Sequence, residues 1–362
     1  MDTESRQIAI IADQRSVLQA LEKSLNGFGY NVGVSCSPEH ISLTEEAANH
    51  IDAWLIYLSD EDKWADFIDE IIDSSDAPIL FGDPNIPSPQ STDFMRWQRH
   101  LLEKSSKLVG APDTSAQTSA ALSHAAKVQQ QIQQQKPLQT LPKVTASTEV
   151  LPMTQEQDEP STVSRVWVLG ASLGGPAAVK EFLDAIPGSL PIAFILAQHI
   201  DKGFQKVLSQ VLGRHSAFEV SKTVIDTKIE YGKVYMAPVE TMMAFQDGKI
   251  ISTGEKWRAP YAPCIDQIMQ LTHDYYGHHC GVILFSGMGN DGAISAPIIT
   301  RNGSTLWAQN AESCANSSMP DSARQTGCVS LSGTPKQLAL QLIARINKET
   351  DQDNTSSPSI ES

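Results

Sequence analysis

A serine set between glycines is the first feature of this sequence that could do chemistry. Residues 170–175 read Gly-Ala-Ser-Leu-Gly-Gly, and Ser172 stands at the centre of a G-x-S-x-G pattern. The pattern follows an apolar run and precedes Pro176, a residue type favoured at the first position of a helix. This arrangement is typical of a hydrolase nucleophile, because glycines permit a sharp strand-to-helix turn and leave the hydroxyl open to a substrate.

The same turn has other interpretations. It could bind a phosphate or a dinucleotide, since the free N–H groups at a helix N-terminus attract anions. A dinucleotide enzyme would also need an acidic residue for the ribose after a second strand, and Asp201 is a poor substitute for it. A tight turn without chemistry is the third interpretation.

A base and an acid for this serine follow two other apolar runs. His199 comes just after one of them, and the segment 286–292, which contains Asp291, comes just after the other. A serine hydroxyl is a weak nucleophile at neutral pH, so it needs a base, and the base needs an acid to orient it. Ser172, His199 and Asp291 therefore form a candidate catalytic triad.

These residues need a fold that brings the ends of several strands together. The apolar runs at 166–169, 191–197 and 281–285 have the length of buried strands. In an open parallel α/β sheet, the carboxyl ends of the strands form the edge where active sites assemble. The sequence therefore predicts an α/β domain with a doubly wound, mostly parallel sheet and the triad at its carboxyl edge.

Several segments of the C-terminal half resemble the bacterial chemotaxis protein-glutamate methylesterase family. They are 170–175, 197–199, 258–266, 286–292, and 308–313 with Met319-Pro320 downstream. The resemblance covers about residues 163–347 and places the family's nucleophile, base and acid on Ser172, His199 and Asp291. It implies a serine esterase that hydrolyses glutamate γ-methyl esters on chemoreceptors, with deamidation of receptor glutamines as a second activity.

Backbone N–H groups are the expected oxyanion donors of such an esterase. Those of Leu173, Gly174 and Gly175 follow the nucleophile, and the resemblance adds Met288. The family usually has threonine at the position of Leu173, where only the backbone group is needed. Residues 237–243 also depart from the family's Ala-Pro-Gly segment. These departures leave open the alternative of a receptor-docking scaffold with an impaired esterase site.

The expected partner is a methyl-accepting chemoreceptor, and a chemosensory histidine kinase or an adaptor protein is a further candidate. A formal net charge of −15 argues against binding to nucleic acid or to an acidic membrane. Basic groups would therefore act locally, and Lys202, Arg214 and Arg258 are expected in loops that could reach the catalytic edge. Arg258 is the candidate docking residue, with an ordinary surface charge as the alternative.

Composition predicts a cytoplasmic protein without membrane insertion. We find no secretory n-region and no apolar run long enough to span a bilayer. The five cysteines are odd in number and lack metal-ligand spacing, so reduced thiols are the simplest account. Because no second ligand cluster accompanies His278, His279 and Cys280, we expect neither a metal nor another cofactor.

The N-terminal region, residues 1–112, is predicted to be a separate βα domain. Strand patterns occur at 7–12, 51–58 and 77–81, and helical patterns at 16–25 and 64–72. The region resembles a response-regulator receiver, which implies a flavodoxin-like fold.

The chemistry of a receiver is missing from this region. Ala12-Asp13-Gln14 offers one carboxylate where a receiver has an acidic pair for Mg²⁺. The phosphoacceptor position falls on Tyr57, which cannot form an acylphosphate, so no phosphoacceptor is expected. Residues 60–62 lie past the strand end and read as a solvated loop, although a different register would make Asp60 or Asp62 the acceptor. We predict a degenerate receiver that phosphotransfer does not switch.

Two further segments have compositions that cannot bury a core. Residues 113–162 are rich in Gln, Ser, Thr and Pro and predict a disordered linker, in which 120–134 could form a short docking helix. Residues 350–362 are predicted to be a disordered tail. The catalytic domain is accordingly bounded at 163–349.

Overall fold

The computed structural model describes residues 6–41, 50–60, 63–75, 77–112, 163–200, 202–223 and 225–356. The predicted linker and its candidate docking helix lie outside these ranges, as do residues 61–62 and Asp201. Two α/β domains, one on each side of the linker, account for the described chain.

The N-terminal domain has a parallel sheet in the order β2-β1-β3-β4. Its strands are β1 (Gln7–Ala12), β2 (Asn31–Cys36), β3 (Ala53–Tyr57) and β4 (Ile79–Phe81), and its helices are α1 (Arg15–Phe28), α2 (Ala65–Ser74) and α3 (Thr92–Val109). This is the strand order of a flavodoxin-like sheet without a fifth strand among the described residues. β4 is therefore an edge strand.

The sequence patterns do not predict β2 or α3. β2 is only half-buried and contains Asn, Gly, Ser and Cys, so it lacks the continuous apolar run of β1 and β3. α3 buries Leu101, Ser105 and Val109 and exposes most of its other side chains. A weak apolar pattern of this kind does not distinguish an edge element from a loop.

The C-terminal domain has a seven-stranded sheet in the order β14-β13-β12-β5-β6-β9-β7, with every pairing parallel. Its strands are β5 (Val166–Ala171), β6 (Ala193–Gln198), β7 (Glu219–Lys222), β9 (Lys233–Met236), β12 (Cys280–Leu284), β13 (Thr305–Gln309) and β14 (Leu331–Gly333). A separate antiparallel sheet contains β8 (Thr227–Lys228), β10 (Met243–Gln246) and β11 (Lys249–Ser252). The predicted parallel architecture is confirmed.

Helices cover both faces of the seven-stranded sheet. They are α4 (Gly175–Asp184), α5 (Gln205–Gly213), α6 (Ile265–Tyr276), α7 (Ala296–Arg301), α8 (Ser318–Gln325) and α9 (Pro335–Ser356). Along β5, Val166 and Val168 pack with α6, α7 and α8, whereas Trp167 and Leu169 pack with α4, α5 and α9. Because both faces are buried, the strand reads as an unbroken apolar run in the sequence.

α9 continues into the segment predicted to be a disordered tail. That prediction is wrong for residues 350–356, which are helical, while 357–362 lie outside the described residues. Ile346 is fully buried and anchors the helix, and the Thr350 hydroxyl donates to the Ile346 carbonyl at 2.9 Å. Extending a helix that tertiary packing has already formed costs little per residue, even in a polar sequence. None of the helices described here is long and apolar enough to cross a bilayer.

The two domains pack against each other through α2 and β4 on one side and α4 and α5 on the other. The rings of Phe81 and Phe204 have centroids 4.7 Å apart. Val207 and Val211 of α5 are buried in the same apolar cluster as Ile68 of α2. We refer to these five side chains as the interdomain cluster. Their burial removes substantial apolar surface from water, so the contact resembles a domain core.

Ion pairs flank the interdomain cluster. Lys180 Nζ lies 2.8 Å from Asp73 Oδ1, and Arg214 Nη1 lies 3.1 Å from Asp69 Oδ2. The expectation that Arg214 reaches the catalytic edge is therefore wrong, because it lies just after α5 and contacts the N-terminal domain. A ring nitrogen of His215 lies within 4.8 Å of carboxylate oxygens of the same two aspartates, a spacing at which three such groups could share a metal ion. Lys180 and Arg214 already neutralise those carboxylates, which leaves little charge for a metal ion.

Candidate active site

Ser172 lies at the turn between β5 and α4. Gly174, the residue before the helix, has a φ of +72°, which lies in the left-handed region that favours glycine. A Cβ at this position would lie 2.5 Å from the Ala315 Cβ and 2.7 Å from the Ser286 Oγ. The N–H of Ser172 donates to the Ser286 carbonyl at 3.0 Å. Backbone conformation and space therefore both require glycine beside the predicted nucleophile.

His199 and Asp291 are brought into contact at the same edge of the sheet. They follow β6 and β12, the two strands that flank β5, so adjacent strands supply the three predicted residues. His199 Nε2 lies 2.9 Å from Asp291 Oδ2. In the common triad the acid contacts Nδ1 of the histidine instead. Here Nε2 makes that contact, which leaves Nδ1 as the ring nitrogen that does not bind Asp291.

Asp291 is held in its ionised form by the start of α6. Its Oδ2 accepts the backbone N–H of Ile265, and its Oδ1 accepts that of Asp266, each at 2.8 Å. Burial opposes ionisation, but the hydrogen bonds from His199 and from these backbone groups outweigh it and lower the pKa of Asp291. A buried carboxylate can therefore fix the tautomer of His199 and stabilise an imidazolium.

The pKa values of two neighbours of Asp291 are raised rather than lowered. Cys264 Sγ lies 3.7 Å from Asp291 Oδ1, and burial followed by the Asp291 charge raises its pKa to about 12. The thiol is therefore neutral and does not compete as a nucleophile. Burial also raises the pKa of Asp266, against the hydrogen bond that its Oδ1 accepts from the Ser295 N–H at 2.7 Å.

Ser172 and His199 line a cavity of about 280 Å³ together with Leu173 and Met288. In the part of the chain that the structure describes, the backbone N–H groups of Leu173 and Met288 donate no hydrogen bond to a protein acceptor. Gly175 differs, because its N–H donates to the Ser172 carbonyl at 3.0 Å. We therefore leave Gly175 out of the oxyanion donors and assign Gly174 to the turn, since it does not line the cavity.

Residues 167–342 match the family model described as CheB methylesterase. This part of the chain is a CheB methylesterase domain. A protein-glutamate methylesterase/protein-glutamine glutaminase 1 of Saccharophagus degradans is 33% identical over 162 residues, which are 44% of this chain and 44% of the relative. Its namesake in Carboxydothermus hydrogenoformans is 32% identical over 169 residues, which are 45% of this chain and 50% of the relative.

A solved structure, the Thermotoga maritima CheB methylesterase catalytic domain, is also similar to this chain. It has 25% sequence identity and a TM-score of 0.48, and the match covers 50% of this chain and 97% of that structure. The chain spans about half the length of the curated relatives it matches.

The N-terminal domain forms one wall of the methylesterase cavity. Residues 79–81 of β4 and Lys104 of α3 line it together with Ser172 and His199. A helix with its side chains is about 10–12 Å across, so the cavity accommodates a side chain rather than a whole helix.

The sequence patterns do not indicate two side-chain contacts of the methylesterase site. The Gln198 side-chain amide donates to the carbonyls of Ser172 at 2.8 Å and His199 at 3.2 Å, which ties the two catalytic loops together. Tyr261 stacks on the ring of His199. Both residues lie in segments that resemble the family, but no spacing rule indicates which side chains will touch.

Arg258 lies outside the methylesterase cavity. It is exposed, and its backbone N–H donates to Gln267 Oε1 at 2.8 Å. Lys202 is also absent from the cavity wall and pairs with Glu240 at 2.7 Å on the surface. Neither contact tests receptor docking, so Arg258 stays a prediction without a part in the chemistry proposed below.

At the sheet edge that carries the phosphoacceptor in a receiver, the side chains contact neighbouring residues of the same domain. Tyr57 is the last residue of β3 and is buried, and a Cβ on Gly82 would lie 2.1 Å from its ring. The Asp13 carboxylate accepts both the backbone N–H and the hydroxyl of Ser59, at 2.9 and 2.6 Å. Asp60 accepts a backbone N–H in the turn that follows. The degenerate receiver remains a prediction that these contacts favour.

Proposed function

We propose that this protein is a serine esterase that hydrolyses glutamate γ-methyl esters on methyl-accepting chemoreceptors. Deamidation of receptor glutamines by the same acyl-enzyme route is its second proposed activity. The observation that carries the proposal is the 2.9 Å contact between His199 and Asp291 beside a cavity that also holds Ser172. The substrate class follows the names of the relatives, which are protein-glutamate methylesterases and protein-glutamine glutaminases.

In the first half-reaction the Ser172 Oγ attacks the γ-carbonyl carbon of the ester. His199 Nδ1 takes the hydroxyl proton, and Asp291 stabilises the resulting imidazolium. The carbonyl oxygen becomes an oxyanion, for which the N–H groups of Leu173 and Met288 are the proposed donors. His199 then gives the proton to the departing methoxy oxygen, so that methanol leaves and a glutamyl-serine ester remains.

In the second half-reaction a water molecule attacks the glutamyl-serine ester. His199 takes a proton from the water and returns it to the Ser172 Oγ as the acyl–oxygen bond breaks. The products are a receptor glutamate and free enzyme. With a glutamine substrate the first leaving group is ammonia instead of methanol, and the second half-reaction is the same.

Removal of the nucleophile or the base tests this function directly. Ser172→Ala and His199→Ala should each lower methanol release from a methylated chemoreceptor by roughly 10³-fold or more. The double variant should be about as slow as either single variant, because the triad acts as a unit. Radiolabelled methanol release under single-turnover conditions provides the measurement.

Ser332→Ala is the matched control, since Ser332 is exposed on β14. It should retain full activity. Near-normal methanol release by Ser172→Ala would contradict the assignment, and a wild-type protein inactive on every methylated receptor tried would favour a docking scaffold.

We also propose that the N-terminal domain is a docking module that acts without phosphotransfer, with residues 113–162 as the linker to a catalytic domain at 163–349. The local hydrogen bonds of Asp13 and the burial of Tyr57 support this assignment. A chemosensory histidine kinase or an adaptor protein would bind this domain as a partner. Chemoreceptor substrates also favour the predicted location in the cytoplasm.

A further inference from the structure

Tyr261 lies flat against the catalytic imidazole. Its ring centroid is 4.9 Å from that of His199, and the two planes differ by 4°. The contact with Asp291 fixes the position of one ring nitrogen of His199 but leaves the ring free to turn about that bond. An aromatic face on the ring removes this freedom, because the stacked arrangement is kept only in one orientation of the plane.

The hydroxyl of the same tyrosine reaches the loop that carries the acid. It donates to Asn290 Oδ1 at 3.2 Å. Gly289 approaches it so closely that a Cβ there would lie 2.5 Å from the hydroxyl oxygen, and the φ of this glycine is +101°. Met288 and Asp291 flank these two residues in the sequence, so one side chain contacts both the base and the loop of the oxyanion donor.

We propose that Tyr261 is a positioning residue of this active site. Its ring sets the plane of His199 so that Nδ1 is directed towards Ser172, and its hydroxyl braces residues 288–291. The ring also offers a π face to the imidazolium formed during attack, an interaction that favours the cation over the neutral base. This role adds a positioning residue to the proposed esterase function. Only the measurement with a receptor depends on that function.

Two substitutions separate the ring from the hydroxyl. Tyr261→Leu removes the aromatic face, whereas Tyr261→Phe keeps it and removes only the hydrogen bond to Asn290. We expect Tyr261→Leu to lower kcat about tenfold with little change in KM, and Tyr261→Phe to stay within about threefold of wild type. Tyr231→Leu is the matched control, since Tyr231 is exposed and contacts Ser164, which does not line the cavity.

A fluorophosphonate probe measures the same property without a receptor. The Ser172 Oγ forms a bond to phosphorus, fluoride leaves, and the hydroxyl proton passes to His199, so the labelling rate reports the competence of the base. A second readout is the ¹H–¹³C spectrum of the full chain with labelled histidine. The ring current of Tyr261 should shift the His199 resonances, which His199→Gln identifies, in wild type and Tyr261→Phe but not in Tyr261→Leu.

Slow labelling by Tyr261→Leu, with rescue by Tyr261→Phe, would support the proposal. Wild-type labelling by Tyr261→Leu would overturn it, and an equal loss in both variants would overturn the role assigned to the ring. If Tyr261→Leu does not fold, Tyr261→Met replaces it, and the absence of a ring-current shift in wild type would itself overturn the proposal. Normal labelling by a wild type that releases no methanol would refute the esterase function while leaving this test intact.

Discussion

At the scale of single residues, the environments of two neighbouring carboxyl groups shift their pKa values in opposite directions. Asp291 accepts hydrogen bonds from His199 and from the first backbone N–H groups of α6, and its pKa is lowered. Asp266, at the start of the same helix, has a pKa raised by burial and by the charge of Asp291. Neighbouring acids whose pKa values are driven apart are a frequent property of catalytic sites.

Asp291→Asn and Asp266→Asn should therefore change acid stability in opposite directions. The contribution of Asp291 to the free energy of unfolding is present above the unfolded-state pKa of about 3.9. It is lost as pH falls through the lower folded-state pKa of this group. The contribution of Asp266 to the free energy of unfolding is present below a pH of about 3.9. It is lost as pH rises through the higher folded-state pKa of this group. Urea unfolding of both variants and wild type across the acid range measures these differences.

The free-energy difference between wild type and Asp291→Asn should grow with pH, and that between wild type and Asp266→Asn should shrink. Two differences that move in the same direction would contradict the assignment of the two carboxyl groups.

The sequence indicates the candidate catalytic residues, which the structure brings to one edge of the sheet, more clearly than it indicates their surroundings. Ser172, His199 and Asp291 are identifiable because each is a reactive type placed after an apolar run. Tyr261 and Gln198 are not, because their contacts depend on how segments distant in the chain pack. The engaged N–H of Gly175 is likewise a detail of turn geometry, which the pattern of glycines does not reveal.

At the scale of elements, the turn between β5 and α4 sets the position of Ser172, the proposed nucleophile. The buried strands β5, β6 and β12 are predictable because both of their faces are apolar, whereas β2 and α3 are half-exposed and give weak patterns. The turn itself requires a glycine at 174 for its positive φ and for its contacts with the loop around Ala315.

Gly174→Ala should lower the free energy of unfolding by about 1–3 kcal/mol and slow labelling of Ser172, because a Cβ is strained at positive φ and has no space. Gly27→Ala is the matched control. Gly27 lies within α1, and a Cβ there would meet nothing within 4 Å. That change should be stabilising by about 0.4–1 kcal/mol. Equal effects of the two substitutions in urea unfolding would refute the conformational argument.

At the scale of the whole molecule, the N-terminal domain is part of both the core and the active-site wall. Phe204 and Val211 belong to the methylesterase domain, yet they are buried against α2 and β4. Lys104 and residues 79–81 line the cavity that holds Ser172. Apolar contact and ion pairs therefore hold this domain in position.

Acetyl phosphate with Mg²⁺ should neither label this domain nor change esterase activity, because Tyr57 stands at the acceptor position and Asp13 is engaged with Ser59. Intact-mass measurement of the full chain and methanol release with and without acetyl phosphate provide the test. An acid-labile phosphate that disappears in Asp60→Ala would show that the acceptor position has been misassigned.

The interdomain cluster limits which N-terminal domains can be joined to this methylesterase domain. Domains joined only by a linker can be exchanged between homologues, whereas Phe81 and Phe204 fill space for each other across a domain boundary. A chimera that joins this methylesterase domain to the N-terminal half of a relative would leave α5 facing a surface not shaped for it. Substitutions on α2 and α5 are therefore expected to accumulate in pairs.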